Sequence, residues 1–340
     1  MKRIGSIIHG ALGDCYEQLL CLQKYKATHG NNVSIIGFFA VESRYRAFLH
    51  YDLSIFDEIH SADKIGDVGV DSYYQFQIRD IELQADILSK LSASEMAKFD
   101  TATNLLPWRI LKLHDYMASP LSLDLSAKGR EYLAFVKEIH GIKDENNKNK
   151  VGFLWRHRKK GLNSSGQYPK HIIKKNISEV MNYFVKEHNA HIFVCGMGAG
   201  NLSELDCYQR VVDEGGIALG EHKWKFDPEL LEIEENSVTY LMGTGYAAEM
   251  EIMSQCDILV TMPSGFSEPL WMKNPDKVVM VFPPLAYLLK LWRHRVPFFD
   301  HNTWAGKKFN TIKFHSAKNI LRHLKYIKKA AWSSMNRGHA

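Results

Sequence analysis

Three observations predict an α/β fold made of two doubly wound halves. The chain opens with a strand, a glycine-bearing loop, a helix and a second strand, "RIGSIIHGALGDCYEQLLCLQKYKATHGNNVSIIGFFA". A polar, low-complexity stretch, "KDENNKNK" at 143–150, reads as a linker. The strand–loop–helix–strand pattern then starts again at "KVGFLW". Repeated units of this kind imply parallel sheets, and two such halves place a cleft between the carboxyl ends of their strands. At 340 residues the chain is long enough for two separate cores.

The elements follow from their periodicity. Ile4 to Ile8 is a short apolar strand, and "HGALGD" is the loop after it. Tyr16, Leu19, Leu20 and Leu22 to Tyr25 give one apolar helix face, and Gly30 ends the helix. Val33 to Ala40 is a second buried strand. Residues 75–140 read mainly as helix, with amphipathic spacing in "IELQADILSKLSASEMAKF". After the linker come the strand "KVGFLW", a basic loop, a helix around "HIIKKNISEVMNYFVKEH" and the strand "AHIFVCG". "SVTYLMG" is a further strand, "YAAEMEIMSQ" a helix and "DILVTM" a strand. A loop, a helix and the buried strand "VVMVFPP" complete this half. The expected division is a domain at 1–145, a second at 150–315 and a basic amphipathic helix at 316–335. In that helix Ile320, Leu321, Leu324 and Ile327 share one face.

Bulk properties exclude several classes. No run of 18 apolar residues exists, so no membrane span is expected. The start, "MKRIGSIIHGALGD", is too short and too broken for a signal peptide. Five cysteines without a CxxC pair read as reduced thiols of a cytoplasmic protein. HExxH, GxSxG and GxxxxGK[ST] are absent, and the sixteen histidines show no ligand spacing, so no metal is assigned. Charge is uneven. From Lys290 onward twelve Lys/Arg face one acidic residue, Asp300, a net +11. The whole chain carries +5, so the preceding 289 residues carry −6. A basic end on a mildly acidic body suits an anionic membrane surface; the plain alternative is a solubilising helix, or one that pairs with acidic patches on the protein's own body, and its few aromatics do not suit nucleic acid.

Three loops fall on strand ends that face the expected cleft. In "HGALGD" the glycines, Gly10 and Gly13, let backbone approach a ligand beside His9, and Asp14 at the helix start could take a proton from a hydroxyl. The plain alternative is that Asp14 caps the helix. In "WRHRKKG" the charges of Arg156 and Lys160 could pair with a diphosphate; a solvated basic loop is the alternative. In "MPSGFSE" a Ser-Gly turn precedes a helix, where unpaired N–H groups can bind an anion, or where Ser264 is only a cap. A fourth loop, Gly196 to Asn201, mimics part of a dinucleotide fingerprint but lacks its last glycine, and reads as a strand-to-helix turn.

"GALGD" directly after the first strand resembles the N-terminal loop of the bacterial heptosyltransferase family. "KKNISEVMNYFVKEHNAHIFVCGMGAGNLSELD" and "AEMEIMSQCDILVTMPSGFSEPLWMKNPDKVVMVFPP" are similar to that family's C-terminal half. "PSGFSE" also resembles the diphosphate loop of other GT-B glycosyltransferases, and "VGFLWRHRKK" the Arg-bearing strand end of GT-B fucosyltransferases. The resemblance covers the first 40 residues and about 150–285. Pro263 stands where the family has Asp, and Glu268 where heptosyltransferases have His.

The resemblance implies a GT-B fold, two Rossmann-like domains facing a cleft. It implies a glycosyltransferase that moves a sugar from a nucleotide-diphosphate donor to a glycan or lipid-linked acceptor in bacterial surface polysaccharide synthesis. Asp14 is the expected base. Arg156, Lys160, Gly243, Ser264, Gly265, Phe266 and Glu268 are the expected donor residues, with Tyr240 to Gly243 at the base pocket. His9, Gly10 and Gly13 line the acceptor side. No cofactor or metal is expected, and inversion is favoured over retention. The expected place is the cytoplasm, at the inner membrane face. The alternatives are a non-catalytic nucleotide-sugar-binding or scaffold protein, and a sugar-nucleotide epimerase of the same form.

Overall fold

The computed structural model describes residues 1–10, 12–40, 42–74, 87–99, 122–143, 149–154, 174–195, 237–241, 244–261, 268–274, 277–281 and 310–312. Backbone contacts divide the chain into two compact units. One is Met1–Phe135 with Tyr246–Ala248 and Ser264–Lys273; the other is Val136–Gly245, Glu249–Pro263 and Asn274–Ala340.

The first unit holds a four-stranded sheet of β1 (Lys2–Ile8), β2 (Val33–Phe39), β3 (Glu58–Ser61) and β4 (Ser72–Tyr74), in the order β3-β2-β1-β4. All pairings are parallel. Strands buried on both faces need near-continuous apolar runs, which "KRIGSII" and "VSIIGFF" supply. Helices α1 (Leu12–His29) and α2 (Glu42–Phe48) follow β1 and β2. On one face Ile7, Ile36, Phe38 and Tyr73 form a cluster with Ala62, Ile65, Val70 and Ile87. Gly5 lies in register with Tyr73, and a Cβ at Gly5 would fall 2.6 Å from the Tyr73 ring. The glycine is what lets the ring lie across β1. On the opposite face Tyr74 meets Tyr25 of α1 with ring centres 4.9 Å apart, and Phe39 meets Tyr45 of α2 at 5.2 Å.

The expectation of helix over 75–140 holds only in part. Within 87–99 the one complete helix is the four-residue α3 (Ala93–Met96), capped by Ser92, whose Oγ accepts the Glu95 N–H at 3.2 Å. Phe99 then leaves the helical path, because it bridges to Tyr73 and stacks on its ring at 4.4 Å. Residues 75–86 and 100–121 lie outside the described residues. The segment 122–126 returns against residues 50–52. Tyr51 bridges Leu125, Asp52 N–H donates to Asp124 O at 2.7 Å, and Leu123 N–H donates to the Tyr16 hydroxyl at 3.1 Å. Helix α4 (Ala127–Ile139) follows.

The second unit holds a six-stranded parallel sheet. Its strands are β5 (Asn149–Leu154), β6 (Ala190–Cys195), β7 (Val238–Tyr240), β8 (Ile258–Thr261), β9 (Val278–Val281) and β10 (Asn310–Ile312). Their order is β10-β9-β8-β5-β6-β7. The expected linker therefore ends earlier than its composition suggests: Asn149 and Lys150 pair in register with Ala190 and His191. Helix α5 (Lys174–His188) precedes β6, α6 (Tyr246–Ser254) precedes β8, and α7 (Glu268–Lys273) precedes β9. Val151, Phe153, Ile192, Val194, Leu259 and Val260 form the buried centre of this sheet. The basic C-terminal segment, 316–335, lies outside the described residues. No helix among the described residues is long and apolar enough to cross a membrane.

Candidate functional site

The carboxyl end of β1 turns through His9 and Gly10 into α1. Gly10 has φ 102°, a left-handed conformation that disfavours any residue with a side chain. His9 is fully buried. Asp14 is the third residue of α1 and the acidic residue of its first turn, where unpaired N–H groups and the helix dipole favour a negative charge. From Leu12 to Leu22 every residue is buried except Asp14, which is partly exposed. An ordinary surface helix would expose a whole stripe there. The all-round burial extends to Glu17 and Gln18, which the apolar spacing leaves on the polar side.

Gln18 accounts for its own burial. Its Nε2 donates to the His9 carbonyl at 2.7 Å and to the Asp14 carbonyl at 2.9 Å. Its Oε1 accepts the His9 N–H at 3.4 Å. One side chain thus ties the exit of β1 to the first turn of α1. Sequence spacing gives no sign of this, since a Gln four residues after Asp14 reads as an ordinary solvent-facing position.

In the second unit, the turn after β7 runs into α6. Leu241 N–H donates to Val194 O at 2.8 Å and so continues the β6–β7 ladder. Thr244 closes the turn: its hydroxyl donates to Leu241 O at 2.6 Å and its N–H to the same oxygen at 3.1 Å. Gly245 takes φ 96° and accepts the Glu249 N–H at 2.9 Å. Glu249 is buried in the first turn of α6. Burial first, and the Glu249 charge second, hold the Cys195 thiol well above its usual range. Burial also pushes Tyr240, at the end of β7, up to about 12. Thr261, the last residue of β8, is fully buried, and its hydroxyl has no hydrogen-bond partner among the described residues.

The sequence-predicted residues therefore fall into two groups. His9, Gly10, Gly13 and Asp14 are brought together at the end of β1. Glu268 is the first residue of α7. Arg156, Lys160, Gly243, Ser264, Gly265 and Phe266 lie outside the described residues, as does the glycine-rich turn 196–201. Sequence reasoning missed Gln18, Thr244, Glu249 and Thr261. Only "GTG" at 243–245 carries a visible signal, a glycine pair around a turn-forming threonine. Among the described residues no group of three His, Cys, Asp or Glu is placed to hold a metal ion.

No protein-family model matches the sequence, and no curated protein matches it. Solved structures do resemble it in fold. One is a family 9 glycosyl transferase from Veillonella parvula, with TM-score 0.58 and 13% identity over 96% of this chain and 97% of that one. Another is the ADP-heptose lipopolysaccharide heptosyltransferase II of E. coli, with TM-score 0.55 and 12% identity over 96% of this chain and 98% of that one. The two parallel sheets with their helices are thus an α/β fold of the kind found in GT-B glycosyltransferases.

Proposed function

We propose that this protein is a glycosyltransferase that moves a sugar from a nucleotide-diphosphate donor to the hydroxyl of a glycan or glycolipid. The observation that carries the reading is Asp14. It is the one residue not buried over the first three turns of α1, at the carboxyl end of a parallel strand, where such folds bind ligands. Asp14 takes the proton of the acceptor hydroxyl, the oxygen attacks the anomeric carbon, and the bond from that carbon to the diphosphate breaks. This path inverts the anomeric centre.

On this reading Arg156 and Lys160 neutralise the departing diphosphate, with no metal ion needed. Ser264, Gly265 and Phe266 bind it through backbone groups, Glu268 holds ribose or sugar hydroxyls, and the 240–243 turn meets the base. Two fold neighbours support the choice of reaction: one is a glycosyl transferase, and the other is described by its ADP-heptose donor. The role of the domains is proposed as acceptor binding at 1–145 and donor binding at 150–315. The +11 of the chain from Lys290 onward would hold the enzyme against an anionic inner-leaflet surface, beside a lipid-linked acceptor of surface polysaccharide synthesis.

The test is a panel of UDP-, GDP-, ADP-, TDP- and CMP-sugars, with release of the free nucleotide as the readout. Slow, enzyme-dependent release of one nucleotide diphosphate is expected. Binding of a nucleotide sugar with no release in the presence of any acceptor extract would favour a non-catalytic binding protein, and interconversion of the sugar would favour an epimerase. Co-sedimentation with anionic vesicles that weakens with salt would support the membrane surface, and no binding at low salt would remove it.

A further inference from the structure

We infer that Gln18 is a positioning residue for the reaction, one that sets the place of Asp14 without touching substrate. The inference rests on the reading of Asp14 as the base. Three hydrogen bonds carry it. The Gln18 amide is fully buried and spends both ends on the strand-to-helix turn: two bonds with His9 and one to the Asp14 carbonyl. His9 is fully buried as well, and Gly10 beyond it is free to adopt positive φ. Gly10 itself contributes no side chain to hold the backbone of this turn.

The chemistry of the amide matters as much as its position. It must donate to two carbonyls and accept from one N–H at once. Only a carboxamide does this. A carboxylate in its place would set negative oxygens against the His9 and Asp14 carbonyls. A thioether of similar length would make none of the three bonds. A second contact from the same helix helps: the Cys15 thiol lies 4.0 Å from the Gly10 carbonyl. The base is therefore held through its backbone.

The test uses Gln18→Met on the whole chain, with two readouts. In the protein without substrate, amide exchange of the peptide covering 9–18 should quicken by about tenfold or more, since all three hydrogen bonds are lost, while exchange of β5 and β6 stays unchanged. In turnover, kcat should fall by about 10- to 100-fold with the donor KM within about twofold, because a misplaced base weakens the transition state and not the ground state. If Gln18→Met fails to fold, Gln18→Asn, which keeps the amide but withdraws it by one methylene, is read in the same way. Unchanged exchange at 9–18 overturns the inference whatever the activity. Wild-type kcat in Gln18→Met beside an inactive Asp14→Asn also overturns it, and leaves the assignment of Asp14 standing. An active Asp14→Asn overturns that assignment instead, and the catalytic role inferred for Gln18 falls with it.

Discussion

Asp257 and Lys150 hold each other twice. The Asp257 carboxylate accepts the Lys150 N–H at 2.8 Å, and the Asp257 N–H donates to the Lys150 carbonyl at 2.8 Å. The same reciprocal pair joins Asp57 to Ile35, at 2.8 and 2.9 Å, and Asp71 to Arg3, at 2.7 and 2.9 Å. Each aspartate stands immediately before a strand, β8, β3 or β4, and each partner lies on the neighbouring strand, β5, β2 or β1. The double bond fixes where the new strand starts. A slip of one residue would turn its buried side chains to the wrong face.

Asp257→Ala should therefore destabilise the second unit. It removes a charged acceptor and leaves the Lys150 N–H to water, for a loss of about 1–3 kcal/mol. Asp257→Asn keeps an acceptor oxygen and should lose less. Urea unfolding followed by tryptophan fluorescence measures both. An alanine variant as stable as wild type would mean that water replaces the carboxylate at no cost.

Gly129 tests how tightly α4 sits on the first unit. Glycine inside a helix normally costs roughly 0.5–1 kcal/mol against alanine, so Gly129→Ala would ordinarily stabilise. Here a Cβ would land on the His50 carbonyl oxygen. That oxygen is held by the Ser126 N–H at 2.9 Å and the Ser126 hydroxyl at 3.2 Å, so it cannot retreat cheaply. The clash should win, with a net loss of about 1–3 kcal/mol. A thermal melt decides the sign, and a rise in Tm would show that the helix shifts at little cost.

These contacts show what the sequence carries and what it does not. The central strands β1, β2, β5, β6, β8 and β9 are legible because burial on both faces demands continuous apolar runs. The short strands β3, β4 and β10 are not: "EIHS" at β3 is only half-buried, so charge and alternation hide it. The place of Asp14, after a strand and beside glycines at a helix start, is legible because these features are local. Gln18 is not, because its partners are backbone atoms made reachable only once β1 and α1 have packed. The glycines at 5 and 129 likewise look like helix or strand weaknesses until Tyr73 and the His50 carbonyl are placed.

Acid should weaken the fold in a defined window. Burial holds the His50 and His140 imidazoles below their usual value of 6.5. The His50 ring lies stacked on Tyr132, with centres 4.3 Å apart. The unfolded chain takes up protons at these positions below about pH 6.5, while the folded chain does so only at lower pH. Stability from both is thus complete above about pH 6.5 and is lost as pH falls toward the folded value, below which the loss levels off. His50→Phe keeps the stacked ring and removes one titration. Its urea midpoint should change less than that of wild type between about pH 7.5 and 5.5. Equal slopes would show that His50 titrates in the folded protein as it does in the unfolded chain.

Asp14→Asn separates chemistry from structure. The substitution keeps size and shape at the third position of α1. It removes a negative charge that the helix dipole favours, so stability should fall by only about 0.3–1 kcal/mol. The Gln18 bond runs to the Asp14 carbonyl and not to its carboxylate, so the turn geometry should survive. Loss of a general base should still cut turnover by about 10²-fold or more, with donor affinity by calorimetry nearly intact. Turnover within about threefold of wild type would reduce Asp14 to a favourable charge at a helix start, and the proton would have to leave the acceptor by another route.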